Sequence, residues 1–293
     1  MSDYPCRSAL YMPASNLRAL AKAPTLDTDA VILDLEDAVA VDIKELARNQ
    51  AAAAIRDGDF GFRRRIVRIN GLESPWAEAD LAAFAGSFPD AFLIPKTSEA
   101  ATVLTVARRL DALGAPAGVE IWAMIETPPA LLALDTIASL ALNSQSRLTT
   151  LVIGTNDLAK ATGMRFTRQR EPILPWLAIA VMTARARGLR ILDGVFNKIQ
   201  DKDGFEAECI QGRDYGFDGK TLIHPSQLEP ANRIFAPSPE EIFEAEEIVA
   251  LFELPENASK NVVAKGGAMV ERLHYEEALK TLALARAMKR ESA

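Results

Sequence analysis

Two histidines and two cysteines in 293 residues leave little material for the commonest catalytic and metal-binding constellations. Cys6 and Cys209 stand far apart in the chain, so they form neither a disulfide framework nor a metal-ligand cluster. A reducing, cytoplasmic setting is the expectation. His224 and His274 are too few for a histidine-rich metal site, and neither has a local partner that would mark a Ser-His-Asp triad. No apolar stretch reaches the ~18 residues that suggest a membrane span. The opening "MSDYPCRSAL" lacks the charged-then-apolar layout of a secretory signal. Positive charge is also scarce in clusters. The 33 basic residues are scattered, the net charge is −7, and Arg63, Arg64 and Arg65 form the single basic run, beside a predicted strand. A solvated edge explains that run better than a nucleic-acid surface does. A G-x-G-x-x-G turn after the first strand is missing as well, which removes the main signal for a dinucleotide-binding open sheet.

What the chain does have is 49% hydrophobic content, enough for a large core. Short apolar runs recur: "RSALYMP", "AVILDLE", "RIVRIN", "AFLIPK", "VEIWAMIET", "TLVIGTND", "LRILDGVF" and "GKTLIHP". Each is rich in branched residues and too short for a helix. Longer segments with helical spacing separate them, such as "SEAATVLTVARRLDAL" and "PWLAIAVMTARARGL". Buried parallel strands read as continuous apolar runs. Eight β-α alternations therefore predict an α/β fold, a (β/α)8 barrel over 1–235, with a doubly wound open sheet as the alternative. Beyond it, "PSPEEIFEAEEIVALFE" has a Ser-Pro helix entry. After a polar break, "GGAMVERLHYEEALKTLALARAMKR" reads as a turn and a further helix. Residues 236–293 are thus expected to form a C-terminal helical extension.

In such a barrel the chemistry lies where the strands finish. The predicted second strand ends in a crowd of carboxylates, Asp34, Glu36 and Asp37. The third carries Arg68 and Asn70, the fourth ends in Lys96, the fifth in Glu126, the sixth in Asp157, the seventh near Asp193 and the eighth at His224. Glu126 and Asp157 close consecutive strands. Two unpaired carboxylates at one mouth repel each other unless a hard cation lies between them, and Mg²⁺ accepts two carboxylates plus waters. The alternative is that each merely caps the helix that follows it. Asp34, Glu36 and Asp37 would then hold metal-bound waters or orient Arg68, or Asp37 would cap a helix beginning near Ala38. Arg68, from inside an apolar run, needs an anionic partner, either a protein or a substrate carboxylate. Lys96 would serve as a Schiff-base amine, a charge partner, or a salt bridge to Glu126, and the metal pair argues against the first. Arg18 and Lys22 share a helical face. With Arg7 they would meet a phosphate-rich ligand, or else be ordinary solvated surface.

Taken in order, "RSALYMPASN", "ILDLEDAV", "RIN", "LIPK", "MIETP", "GTNDLA", "DGVF" and "GKTLIHPSQ" resemble the citrate lyase β-subunit-like proteins, which include malyl-CoA and citramalyl-CoA lyases, within the HpcH/HpaI aldolase superfamily. The resemblance spans nearly the whole chain. It implies a barrel with a C-terminal lid, assembled as homotrimers or dimers of trimers, with Mg²⁺ (or Mn²⁺) on Glu126 and Asp157. It implies that Arg68 contacts the acyl or 2-oxoacid part of the substrate, that Glu36 and Asp37 support it, and that Arg7 and Lys22 contact the phosphates of CoA. The lid acid, an aspartate in lyases of this family, falls here at Glu271. The expected activity is a CoA-ester lyase on a malyl-, β-methylmalyl-, citramalyl- or citryl-CoA, working through a thioester enolate. The alternatives are a (3S)-malyl-CoA thioesterase, a citrate lyase β subunit acting on an acyl-carrier protein, and an aldolase on free acids.

Overall fold

The computed structural model describes residues 4–291. Eight strands run parallel, each pairing with the next in sequence, and the eighth returns to the first to close a barrel. They are β1 (Ser8–Pro13), β2 (Ala30–Asp34), β3 (Arg64–Arg68), β4 (Ala91–Ile94), β5 (Glu120–Ile125), β6 (Leu148–Ile153), β7 (Arg190–Asp193) and β8 (Gly219–Leu222). The apolar runs are strands because both of their faces are covered. In β2, β4, β7 and β8 every residue is buried, the expected state of a parallel sheet wrapped by helices. The open-sheet alternative is thereby excluded.

Closure depends on close backbone approach at one seam. β8 pairs β1 through Ser8↔Lys220, Ala9↔Thr221 and Leu10↔Leu222. At Gly219 a Cβ would lie 1.9 Å from the Cys6 carbonyl oxygen, so only glycine fits there. Behind the seam, Lys220 points away from the barrel axis and is wholly buried. Its ammonium lies 2.8 Å from Asp193 and 2.8 Å from Glu208, and Arg170 reaches the same two carboxylates. Two cations and two anions satisfy one another there, as buried charges must.

By compactness the chain divides at Phe235: Cys6–Phe235 form the barrel unit, and the segment beginning at Ala236 belongs to a second unit. In that second unit the helix Pro239–Glu253 starts from a capping box. Ser238 Oγ accepts from the Glu241 N–H, and Glu241 Oε2 accepts from the Ser238 N–H. It packs on the helix Arg272–Glu291 through Ala245, Ala278 and Leu282. The extension departs from the all-helical expectation. β9 (Val262–Lys265) and β10 (Ala268–Glu271) form an antiparallel hairpin. Gly266 and Gly267, at φ 57° and 87°, make the turn. Two consecutive left-handed residues are the signature of a tight hairpin connection, which "KGGA" supplies.

Candidate active site

At the strand C-termini a cavity of about 500 Å³ opens, lined by Tyr11, Asp34, Asp37, Arg68, Met124, Glu126, the Gly154–Asp157 turn, Lys160 and Thr221, among others. Arg68 is its centre of positive charge. It stands opposite Asp34 in the β2–β3 register, and the two side chains form a bidentate pair. Arg68 Nε donates to Asp34 Oδ1 at 2.7 Å and Nη2 donates to Oδ2 at 2.5 Å. The remaining edge, Nη1, lies 3.1 Å from Glu36 Oε2 and 3.7 Å from Asp37 Oδ2. The Glu36 contact is not aligned as a hydrogen bond, and among the described residues the one aligned acceptor of Nη1 is the Met124 sulfur at 3.9 Å. Asp34 therefore fixes one edge of the guanidinium, and Nη1 keeps an ion pair with Glu36 but no aligned oxygen acceptor beside the cavity. Burial acts to lower the Arg68 pKa, but the Asp34 carboxylate overrides it and holds the group charged. The Tyr11 ring lies beneath the guanidinium, 4.8 Å from Cζ.

Asp34 also organises the turn that follows β2. Its Oδ1 accepts the Glu36 N–H and its Oδ2 accepts the Ala38 N–H. No helix begins at Ala38; the next regular helix is Lys44–Asp57. Asp37 is accordingly not a helix cap but an exposed carboxylate on the cavity wall. Lys44 pins the same turn from below, donating to the carbonyls of Leu35 and Glu36 and to Asn70 Oδ1. Asn70 in turn donates to Asp80. These contacts tie the exit of β2 to that of β3.

Glu126 directly follows β5 and is 1% exposed. Its Oε1 accepts the Lys96 N–H at 2.6 Å, while Oε2 is buried without a hydrogen-bond partner. Burial, together with the charges of Glu36 and Asp157, pushes its pKa up to about 8, against the Lys96 N–H, which acts to lower it. The capping alternative fails for both carboxylates. Thr127 is the residue that caps the helix after β5, accepting from the Ala130 N–H. The helix after β6, Thr155–Thr162, has Gly154 at its N-cap, and Asp157 sits within its first turn rather than at the strand end. A buried carboxylate with one oxygen unpartnered, and a second carboxylate within electrostatic reach, is a donor set that suits a hard divalent cation. Among the described residues no group of three His, Cys, Asp or Glu is arranged to hold a metal. Space is kept for Glu126 by Gly154, where a Cβ would fall 2.3 Å from Glu126 Cβ and 2.5 Å from Oε2. Thr155 lines the same cavity at the start of the helix, and its Oγ1 is also buried without a partner.

A second cavity of about 280 Å³ adjoins the first, sharing Tyr11 and Ile223 with it. Arg18 and Lys22 line it from the helix Leu17–Lys22. Arg7 is not with them. It precedes β1 and so lies at the N-terminal end of the barrel, where Nε and Nη2 donate to Asp29 and both side chains are buried. The expectation that Arg7 meets phosphate at the mouth is corrected: strand direction puts it at the opposite face. Glu271 ends β10 in the second unit with its side chain exposed, and its N–H donates to His274 Nδ1. His224 caps the turn Pro225–Gln227, accepting from the Ser226 N–H. Sequence reasoning passed over Tyr11, Met124, Thr155 and Lys44. It assigned Arg68 to the whole acidic cluster, and all three carboxylates do lie within 3.7 Å of the guanidinium, Asp34 making the bidentate pair.

The HpcH/HpaI aldolase/citrate lyase family model matches residues 7–225. A (3S)-malyl-CoA thioesterase of Cereibacter sphaeroides is 47% identical over 285 residues, covering 97% of this chain and 96% of that protein. The mitochondrial citramalyl-CoA lyase of Homo sapiens is 28% identical over 295 residues, covering 97% and 87%. Among solved structures, the Mycobacterium tuberculosis protein CitE in complex with magnesium, acetoacetate and coenzyme A has a TM-score of 0.76 at 27% identity, covering 97% of this chain and 100% of that one.

Proposed function

The chain belongs to the HpcH/HpaI aldolase/citrate lyase family, and from that premise we propose that it hydrolyses the CoA thioester of a small 3-hydroxy acid of the malyl type. One observation carries the reading. A cavity lined by Glu126, Asp157 and Arg68, whose Nη1 makes no aligned hydrogen bond to an oxygen, adjoins a groove lined by Arg18 and Lys22, the two sharing Tyr11 and Ile223 as walls. The acyl end and a phosphate-bearing tail are thus accommodated together, which a free-acid aldolase would not need. The 47% identity to a malyl-CoA thioesterase favours hydrolysis over carbon–carbon cleavage.

Glu126 and Asp157 would hold Mg²⁺, or Mn²⁺. When bound, the metal supplies Lewis-acid polarisation of substrate oxygens. Arg68 presents Nη1 to the thioester carbonyl oxygen and stabilises the negative charge that develops there. Asp34 keeps the guanidinium from turning away, and Glu36 balances its charge. The free end of the helix Thr155–Thr162, with the Thr155 hydroxyl, offers donors to the substrate carboxylate. In hydrolysis the water oxygen bonds to the thioester carbon and the C–S bond breaks. The CoA sulfur takes a proton, and the water's proton passes to a carboxylate. Asp37 lines the cavity and is one candidate for that role. Glu271, contributed by a neighbouring copy of a homotrimer, is the other. Comparing Asp37→Asn with Glu271→Gln distinguishes them.

Carbon–carbon cleavage is the second reading, favoured by the lyase relatives. The same Nη1 edge would stabilise a thioester enolate, and the products would be acetyl-CoA and a 2-oxoacid such as glyoxylate. The deciding experiment supplies purified protein with Mg²⁺ and (S)-malyl-CoA, following free thiol and glyoxylate separately. Free thiol with malate is the expected result. Glyoxylate without free thiol replaces hydrolysis with the lyase reading. Neither product, with citramalyl-CoA and citryl-CoA also inert, overturns the proposal.

A further inference from the structure

Lys96 is one of three described non-glycine residues with positive φ, at 50°. It follows Pro95 in the turn that ends β4. In a turn whose second central residue has positive φ, glycine or asparagine is the usual occupant, because other side chains are disfavoured there. A lysine in that position keeps a strained backbone, and such strain gathers where a site needs a particular geometry. Here the geometry is explicit. The left-handed residue turns its N–H onto Glu126, 2.6 Å from Oε1, the one hydrogen bond recorded for that carboxylate. That bond fixes one carboxylate oxygen and leaves Oε2 free. The side chain of the same residue does a second job. Its ammonium donates to Glu36 Oε1 at 3.1 Å, and the other oxygen of Glu36 lies 3.1 Å from Arg68 Nη1. Burial acts to lower the Lys96 pKa, but the Glu36 hydrogen bond together with the charges of Glu36, Asp37 and Glu126 raises it and keeps the ammonium charged.

We propose that Lys96 is a positioning residue that sets both halves of the site: its left-handed backbone aims Glu126 at the divalent cation, and its ammonium holds Glu36 beside Arg68. The inference rests on the metal assignment made above and concerns residues of this chain alone. A ligand's own hydrogen-bond partner is what orients it. Losing such a partner costs roughly 10- to 100-fold in metal affinity.

Two variants separate the halves, because both remove the ammonium but only one tolerates the backbone. Asparagine adopts positive φ readily; a β-branched valine does not. Mn²⁺ binding to metal-stripped protein is followed by electron paramagnetic resonance, alongside kcat, KM and the melting temperature. Lys96→Asn is expected to bind Mn²⁺ as the wild type does, with kcat lowered about tenfold and KM little changed. Lys96→Val is expected to bind Mn²⁺ at least about tenfold more weakly while still melting cooperatively. Wild-type affinity in Lys96→Val overturns the backbone role, and wild-type kcat in Lys96→Asn overturns the ammonium role. Should Lys96→Val fail to fold, weakened Mn²⁺ binding by a folded Lys96→Asn equally overturns the backbone role, and retained binding supports it. A wild type that binds no Mn²⁺ fails differently, since it removes the metal assignment itself.

Discussion

Replacing Gly154 with alanine tests the site through a single methyl group. The backbone there has φ −99° and ψ 84°, outside the left-handed region, so space alone opposes the change. The new Cβ would lie 2.3 Å from Glu126 Cβ and 2.5 Å from Oε2, where ordinary contact begins at 3.4 Å. Glu126 is packed at the end of β5 and Gly154 follows β6, so neither backbone has room to yield freely. The carboxylate is therefore displaced by about 1 Å, at an overpacking cost of about 1–3 kcal/mol. A displacement of that size costs on the order of 100-fold in rate. The assay is a Mg²⁺ saturation curve for malyl-CoA turnover, with a thermal melt run in parallel. The expected outcome is a folded protein with a raised half-saturating Mg²⁺ concentration and kcat/KM down about 100-fold. An alanine variant that melts normally and keeps both the wild-type rate and the wild-type Mg²⁺ dependence refutes the claim that Glu126 acts from this position.

Four further outcomes are expected. Arg68→Lys loses the bidentate grip on Asp34 and should lower kcat by about 100-fold or more. Asp34→Ala leaves the guanidinium buried without its partner and should destabilise the fold by about 3–5 kcal/mol in urea titration. A small effect in both would remove the pair from the mechanism. The raised pKa of Glu126, about 8 against an ordinary 4.5, means that between those values the metal-free folded protein holds a proton the unfolded chain has released. Stability in EDTA should therefore fall as pH rises through that window, and Mg²⁺ should restore most at its alkaline end. A Glu126→Gln protein with the wild-type pH slope would show that another group is responsible. Lys22→Ala and Arg18→Ala should weaken CoA binding and flatten its salt dependence while leaving kcat nearly unchanged; calorimetry showing unaltered CoA affinity removes the groove from the proposal.

The barrel was legible because each of its strands announces itself as a short, unbroken apolar run, and Glu126 because it stands immediately after one. Asp157 was harder to place, since the strand stops at Ile153 and the helix has already begun by Thr155. Arg7 was misplaced beside Arg18 and Lys22 although strand direction argued otherwise: a residue that precedes β1 must lie at the opposite end from those that close it. Lys220 stayed hidden within "GKTL", because an apolar neighbourhood in sequence does not reveal which face carries a buried ion cluster. The β9–β10 hairpin escaped notice because four-residue strands are too short to establish a period. The Gly-Gly pair was its one strong mark. The left-handed conformation of Lys96 left no mark at all, since the residue that usually signals it is glycine.

The seam between β1 and β8 bears on how the molecule is made. Ala9 and its partner Thr221 are separated by more than two hundred residues. A ribosome needs on the order of 10–40 s to cover that distance. Throughout that interval one edge of the first strand has no partner, exposing its amides as a template for any other extended chain. Ring closure is thus among the most distant contacts in sequence, a class that is intrinsically slow to form. Its last increment requires a bare backbone at Gly219, so a side chain there would penalise yield during synthesis before it affected any property of the finished enzyme.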